Sequence, residues 1–294
     1  MQEFGKRQIN DKRLAVVKFY PEASELFGNA ASLSDGITIV VKNQHKNTAG
    51  FTYIYSEKGK EISIHADNPG EKLMPLDPHD LPIEQKINKS AKKYGIKFLH
   101  DAILPRSLFS IESDFVEKNP SKVHRYNGND DKIDFDKEIK LFTNDKAGKA
   151  GRATWFITDK NVITKNADYI SEWQVVVSSA NAGGQKRDNQ LEIIDNHSAF
   201  GRSRLALRSF KTEEEAKNFY KYVSSYFIRY TFLLTDEALT SLGKAVPDFE
   251  IYSDKNSMID FDKNIDEQLC KIFKINDEEF SYMKKCVQSL RSEK

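Results

Sequence analysis

The segment DFDKEIK contains residue types that could do chemistry at this spacing. It contains Asp134, Glu138 and Lys140, and two carboxylates with a lysine are a set used by Mg²⁺-dependent nucleases. In such sites the acidic residues normally lie on neighbouring strands, whereas here they fall within one short run. A compact metal nuclease is therefore an alternative that the sequence leaves open.

A second group of polar residues contains acids and imidazoles, and it lies in the segment HADNPGEKLMPLDPHD. The spacing of its residues matches no common set of metal ligands, so a polar surface loop is the better interpretation. The chain has no phosphate-binding or dinucleotide-binding glycine loop and no Ser or Cys with an identifiable base partner. The sequence therefore predicts no catalytic residue and no metal site. The group consists of His65, Asp67, Asp77, His79 and Asp80.

Basic residues concentrate in glycine-containing connections in the middle of the chain. Residues 140–244 contain 16 Lys and Arg against 12 Asp and Glu, whereas residues 246–294 contain 8 against 11. Lys and Arg in loops neutralise phosphates, and Arg, Asn and Gln read base edges. A solvated hairpin tip that touches nothing is the alternative. The candidate DNA-contacting residues are Lys146, Lys149, Arg152, Gln185, Lys186, Arg187, Asn189, Arg202 and Arg204.

Two local geometries are predicted for these candidates. The pair Gly183 and Gly184 predicts a protruding hairpin tip after the strand SEWQVVVSS, of a size that enters a major groove. Arg202 and Arg204 are expected to alternate on one strand, to face the same side and to grip flanking phosphates.

The elements that carry these residues follow from periodicity. RLAVVKFY and GITIVVKN predict buried strands of an α/β sheet, and GFTYIYSEKGKEISIHAD predicts a hairpin that turns at residues 57–60. The proline-containing stretch 71–81 predicts a linker, and PIEQKINKSAKKYG predicts a helix that ends at Gly95. EIKLFTN, RATWFIT, SEWQVVVSS, NQLEIID and SRLALRSF predict a mostly antiparallel β-rich domain.

The last third of the chain is predicted to be helical. Thr212 and Glu215 form a capping box before a long helical pattern, and Asn276 and Glu279 form another before the final helix. The tail also has an apolar face that must pack on another part of the chain. That face consists of Leu269, Phe273, Ile275, Phe280 and Met283.

Composition limits the class of protein. The 294 residues are 39% hydrophobic with a net charge of +1, which favours a globular protein over a disordered one. Cys270 and Cys286 make no disulfide framework, and no apolar run has the length of a membrane span. We therefore expect a cytoplasmic protein with no membrane partner.

Both ends of the chain resemble one family. EEAKNFYKYVSSYFIRYTF, followed by VPDF and IDEQLCKIFKINDEEFSYM, resembles the C-terminal end of adenine-specific DNA methyltransferases of type II restriction–modification enzymes in which methyltransferase and nuclease share one polypeptide. INDKRLAVVKFYPEASELFGNAASLSDGITIVVKN is similar to the last strands of that methyltransferase sheet, although Ser34, Asp35 and Gly36 stand where the family has a Gly-Gly pair. The residues that match the C-terminal pattern are Ala216, Arg229, Val246, Pro247, Phe249, Asp266, Glu267, Leu269, Phe273, Ile275, Glu278, Glu279 and Tyr282.

The resemblance implies a fold and an organisation. It implies an α+β fold in which a truncated α/β methyltransferase-sheet remnant precedes a β-rich mixed recognition domain and a short helical C-terminal tail. Residues 1–70 would be the end of the methyltransferase-like domain, 71–95 a linker and helix, 96–245 the target recognition domain and 246–294 the tail. The implied function is sequence-specific binding of double-stranded DNA.

The resemblance also implies what is missing from this chain. The family's glycine-rich S-adenosylmethionine loop and its NPPY-type motif, which holds the flipped adenine, are absent, since the Asn-Pro pairs occur in NPGE and NPSK. No cofactor is therefore expected in this chain, and S-adenosylmethionine would serve the complete enzyme. The implied partner is the missing N-terminal methyltransferase/nuclease portion or subunit. A protein-interaction module that recruits a catalytic chain through an exposed sheet edge is a further alternative.

Overall fold

A computed structural model describes residues 2–28, 36–70, 72, 74–146, 153–185, 188–235, 238–253 and 257–292. The chain divides into two compact units, Met1–Tyr94 with Phe273–Ile275, and Gly95–Ile272 with Asn276–Lys294. Helices and strands occur in both units, which confirms the predicted α+β class. Within the described ranges, no helix is both long enough and apolar enough to cross a membrane.

The first unit is built around one mixed sheet. In the described residues the strand order is β2-β1-β3-β4, with β1 parallel to β3 and the other pairs antiparallel. Its strands are Leu14–Tyr20 (β1), Ile37–Lys42 (β2), Phe51–Glu57 (β3) and Lys60–Ala66 (β4). Its helices are Gln2–Ile9 (α1), Ser24–Phe27 (α2) and Asp80–Tyr94 (α3).

Two local predictions for this unit are confirmed. Glu57 pairs with Lys60, and Lys58 and Gly59 between them have φ angles of 51° and 74°, as a two-residue hairpin turn of type I′ requires. The helix α3 ends before Gly95, whose φ of 68° places it in the left-handed region that ends helices. The helix begins at Asp80, earlier than predicted, because a proline is tolerated in the first turn.

The burial predicted for the first two strands holds for β1 alone. Val17 and Phe19 on β1 pack in a core with residues of β3, β4 and α3. In β2, by contrast, Ile39, Val40 and Val41 are 42%, 43% and 48% exposed. The expectation that β2 is a buried strand is therefore wrong, because β2 is an edge strand of this sheet and, within the described residues, pairs with β1 alone.

The remaining elements belong mainly to the second unit. The strands are Lys97–Phe98 (β5), Val123–Arg125 (β6), Glu138–Thr143 (β7), Thr154–Asp159 (β8), Trp173–Ser178 (β9), Glu192–Ile194 (β10), Ser198–Phe200 (β11), Arg204–Phe210 (β12) and Pro247–Asp248 (β13). The α-helices are Phe115–Lys118 (α4), Glu213–Ser224 (α5), Tyr226–Leu233 (α6), Ile265–Phe273 (α7) and Asp277–Ser292 (α8).

Two sheets enclose the core of the second unit. In the described residues one has the order β10-β9-β12 and is antiparallel, and the other has the order β11-β7-β8-β6, with β11 parallel to β7. Leu141 and Phe156 of the second sheet share one buried cluster with Val176 and Ala206 of the first. The predicted, mostly antiparallel β-rich domain is therefore present.

The long helical pattern after β12 is two helices rather than one. Thr212 Oγ1 accepts a hydrogen bond from the Glu215 amide at 3.3 Å, which confirms the predicted cap of α5. The chain then turns at Ser225, where ψ is 153°, and the Ser225 hydroxyl accepts from the Ile228 amide to start α6. Within α5 the buried tyrosine is Tyr222, whereas Tyr220 is half-buried.

The tail is held by the cap that the sequence predicts. The Asn276 and Glu279 side chains each accept the other residue's backbone N–H at 2.9 Å. The helix α8 that follows packs against α6, where the rings of Tyr230 and Tyr282 lie 6.2 Å apart. Helix α8 of the tail thus docks on the unit that carries the β-rich core.

Candidate nucleic-acid interface

Strand register brings the three basic connections to one end of the second unit. Thr143 pairs with Thr154 across the β7–β8 connection, and Phe142 pairs with Phe200 at the end of β11. The turn after β11 leads into β12, whose first residue pairs with Ser178 at the end of β9. We call this the loop end; it comprises residues 144–153 (the β7–β8 loop), 179–191 (the glycine loop) and 201–203 (the β11–β12 turn).

The β7–β8 loop presents one described candidate to solvent. Lys146 is exposed, and beside it Asp145 forms an ion pair with Arg125 from the end of β6. Lys149 and Arg152 lie outside the described residues. An exposed lysine on a loop can approach a phosphate without losing an internal partner.

The first part of the glycine loop packs against the protein, whereas the sequence predicts a protruding hairpin tip there. Asn181, Ala182 and Gly183 are buried. Gln185 Nε2 donates to the Phe232 carbonyl of α6 at 3.2 Å, and Asn189 Nδ2 donates to the Ala182 carbonyl at 3.3 Å. The sequence predicts that Gln185 and Asn189 read bases. Their side-chain amides already donate to backbone carbonyls of the protein, so a base would have to replace these hydrogen bonds. Lys186 and Arg187, the middle of this loop, lie outside the described residues.

Arg202 is partly exposed and is occupied by an acidic partner. Its Nη1 lies 2.9 Å from both carboxylate oxygens of Glu112. Arg202 belongs to the β11–β12 turn, so it does not alternate with Arg204 on a strand as predicted. Exposed ion pairs of this kind are weak and screened by salt, so a phosphate can compete for the guanidinium.

Arg204 does not lie on the surface at all. It is 1% exposed, its Nη2 donates to Gln190 Oε1 at 2.6 Å, and its guanidinium carbon lies 5.2 Å from the centre of the Phe142 ring. The prediction that Arg204 contacts a phosphate is therefore wrong, because β12 begins at this residue and turns its side chain into the protein. No local pattern indicates this, since Gln190 lies 14 residues away in the chain.

A small cavity lies behind the glycine loop, and sequence reasoning did not find it. It has a volume of about 20 Å³, room for about one water molecule. It joins the loop to helices α6 and α8, so the tail contributes to the support of the loop. The lining residues are Gly183, Gly184, Asn189, Arg229, Phe232, Leu233 and Val287.

Of the residues of the nuclease alternative, Asp134 and Glu138 lie together, and the Asp134 amide donates to the Glu138 carboxylate at 3.3 Å, whereas Lys140 is engaged elsewhere. Lys140 is buried, and its ammonium pairs with Asp195 and with Asp130 at 3.1 Å. Burial opposes the charge, but these two hydrogen bonds hold the pKa of Lys140 above its ordinary value. Asp134 instead pairs with Lys137 at 3.0 Å. Within the described ranges, no three His, Cys, Asp or Glu residues are grouped so that they could hold a metal ion.

Two short strand-to-helix turns of the described residues lack the glycines of an S-adenosylmethionine loop. In the described residues, β1 leads into α2 through Pro21–Ala23, and β12 leads into α5 through Lys211 and Thr212. Neither turn contains a glycine, so neither gives the close backbone approach that a nucleotide-like cofactor needs. No step of a methyl transfer is assigned to this chain.

Comparisons with known proteins add no family to this picture. No protein-family model matches the chain, and a search of curated proteins found no relative.

Proposed function

We propose that this chain is a cytoplasmic, sequence-specific binder of double-stranded DNA, the target recognition part of an adenine-specific methyltransferase of the fused type II restriction–modification kind. The resemblance at both ends of the sequence supports the family. The strand register is the single observation that supports this binding surface. All three basic connections start from strand ends that lie at the loop end.

The loop end suits DNA in two ways. Its loops carry Lys146, Lys149, Arg152, Lys186 and Arg187 by sequence, a set of cations that can neutralise neighbouring phosphates. The same loops rise from a rigid pair of sheets that share one buried core. Binding and recognition residues are commonly carried on loops of this kind, placed by a rigid scaffold.

On this proposal, the sheet of the first unit is part of a larger sheet. We propose that it is the end of the methyltransferase sheet, and that the partner is the portion carrying the S-adenosylmethionine loop and the adenine pocket, in the same polypeptide or as a separate subunit. Exposed Ile39, Val40 and Val41 on the outermost described strand support this, because a long apolar edge strand invites pairing with another chain.

The same edge strand favours a second candidate, a protein-interaction module that recruits a catalytic chain without itself contacting DNA. The two candidates predict different results when a labelled random duplex is titrated with the full chain and binding is measured by fluorescence anisotropy. DNA recognition predicts weak binding whose logarithm falls steeply and linearly with the logarithm of salt concentration. No binding at low salt, combined with capture of a partner in the absence of DNA, would select the interaction module.

A further inference from the structure

A buried arginine sits between the two largest loops of the loop end. Arg204 Nη2 donates to Gln190 Oε1 at 2.6 Å, and Gln190 is the next-to-last residue of the glycine loop. On its other side the guanidinium lies 5.2 Å from the Phe142 ring, one residue before β7 ends and the β7–β8 loop follows. Arg204 therefore contacts the end of the glycine loop and the end of the strand from which the β7–β8 loop leaves.

The end of the glycine loop is held in an unfavourable backbone conformation. Gln190 has a φ of 53°, in the left-handed region that non-glycine residues rarely adopt. Its amide donates to Asp188 Oδ1 at 3.0 Å, and the neighbouring Asn189 carbonyl accepts from the Ser178 amide at 2.7 Å. Conformations of this kind persist only where the surrounding structure fixes them, and they concentrate at functional sites.

The end of β7, from which the β7–β8 loop leaves, is held from the same point. Phe142 packs against Trp155 with ring centres 4.8 Å apart, and its carbonyl accepts from the Gly201 amide at 3.1 Å. Gly201 is required there, because a Cβ would lie 2.1 Å from Thr143 Oγ1. The strand that begins at Arg204 is thus attached to both loops at their bases.

We propose that Arg204 is a positioning residue that sets the placement of the glycine loop relative to the β7–β8 loop, so that the base preference of the protein depends on a side chain that does not touch DNA. This proposal rests on the proposed function. A buried strand position of this kind is filled at lower cost by an apolar residue, because burying a charge is expensive. An arginine adds a rigid planar group that can bind the glycine loop while it lies over an aromatic ring of β7, at the base of the other loop.

The test compares the wild-type full chain with Arg204→Met, which keeps the apolar stem, and with Gln190→Ala, which removes the acceptor and leaves Arg204 in place. Arg204→Lys tests whether a charge without the planar group suffices. Hydrogen exchange should rise about tenfold or more at 179–185 and 188–191 in both main variants, because a hydrogen bond to a charged group is lost. Exchange in the middle of β9 should be unchanged.

A binding selection on randomised duplexes gives the second readout. Both variants should lose preference at the same one or two base positions, with non-specific affinity within about twofold and an unchanged salt slope. Arg204→Lys should restore neither the preference nor the protection. Arg202→Met is the matched control in the adjacent turn: it should change the salt slope and leave exchange in the glycine loop at the wild-type rate.

Each result decides the proposal. Base preference unaltered in both main variants would overturn the positioning role even if stability falls. If Arg204→Met does not fold, Gln190→Ala carries the test alone. A wild-type chain that binds no duplex would overturn the proposed function itself, a result distinct from binding with an unaltered preference.

Discussion

The carboxylate of Asp266 accepts a 2.8 Å hydrogen bond from the backbone N–H of Phe227, and a longer one of 3.3 Å from the N–H of Tyr226. These amides belong to the first turn of α6, whose N–H groups have no partner within the helix. The helix behind the glycine loop is therefore capped by a residue of the tail. Burial raises the pKa of this carboxyl, while the two amides oppose that shift.

Asp266→Ala is expected to lower the free energy of unfolding by about 1–2 kcal/mol, because two amides of α6 lose their acceptor. Asp266→Asn keeps one oxygen and should cost less. Urea unfolding followed by circular dichroism measures both, with Asp262→Ala on the exposed loop before α7 as the control. An Asp266→Ala protein as stable as the control would show that the tail does not support α6.

The VPDF passage contains a buried ion pair, which can be compared with an exposed ion pair two residues further along the chain. Asp248 is 3% exposed, pairs with Arg208 and accepts from the Tyr252 hydroxyl at 2.9 Å. Asp248→Asn should cost about 3 kcal/mol or more, because it leaves a largely buried guanidinium without its counter-charge. Glu250→Gln breaks the neighbouring exposed pair with Lys97 and should change stability little. Equal effects in thermal unfolding would contradict this difference in burial.

Features decided within a few residues could be read from the sequence. The turn at Lys58 and Gly59 and the cap formed by Asn276 and Glu279 depend on side chains three or fewer positions apart, and both are present. The predictions failed where contacts between residues distant in the sequence determine the structure. The burial of Arg204 depends on where β12 begins and on Gln190, and neither is encoded in a local pattern.

The exposure of β2 is a second feature that local sequence patterns do not predict. GITIVVKN and RLAVVKFY are both apolar runs, so periodicity alone assigns both to a buried sheet. Which of them becomes the outer strand depends on pairing with β3, which β1 makes and β2 does not. For the candidate site, Lys146, Gln185 and Asn189 lie on connections as the sequence indicates, whereas Arg204 lies on β12, and the sequence did not show which side chains the protein itself would engage.

The stability of the first unit should depend on pH through Glu84. Burial raises the pKa of this α3 carboxyl to about 7, against smaller lowering effects of Asn88 and Lys72. Because the folded pKa lies above the unfolded one, the unfolded state releases its proton first, and stability should fall as pH rises from about 4.5 to 7. The loss should be at most about 3 kcal/mol.

Glu84→Gln should remove this decline while leaving stability at the low end of the range close to wild type, as measured by unfolding midpoints across that pH range. The range stays below the pKa of Lys72, which burial lowers to about 8, so that the lysine does not contribute. A decline of the same size in Glu84→Gln would assign it to another group.

The edge strand β2 should limit solubility. Val41→Lys places a charge on the strand and removes an exposed valine, so we expect less self-association in light scattering with an unchanged melting temperature. Thr38→Lys adds the same charge to the same strand without removing apolar surface and should have a smaller effect. If neither variant changes self-association, the edge of β2 is not an attachment surface.

The loop end can be compared with the opposite end of its own sheet. Lys122 and Lys160 lie beside the start of β6 and the end of β8, and the Lys160 amide donates to the Lys137 carbonyl at 2.7 Å. Replacing Lys122, Lys137 and Lys160 with Ala removes the same charge as replacing Lys146, Lys149 and Arg152, but at the end that the proposed function does not use.

The most direct measurement is therefore the salt dependence of duplex binding for these two triple variants and the wild-type full chain. The account predicts that the loop-end variant binds all sequences more weakly, with a salt slope reduced by up to roughly three, while the control variant keeps the wild-type slope. Equal losses in both variants, or a loss in the control alone, would contradict the claim that the loop end is the DNA-binding surface.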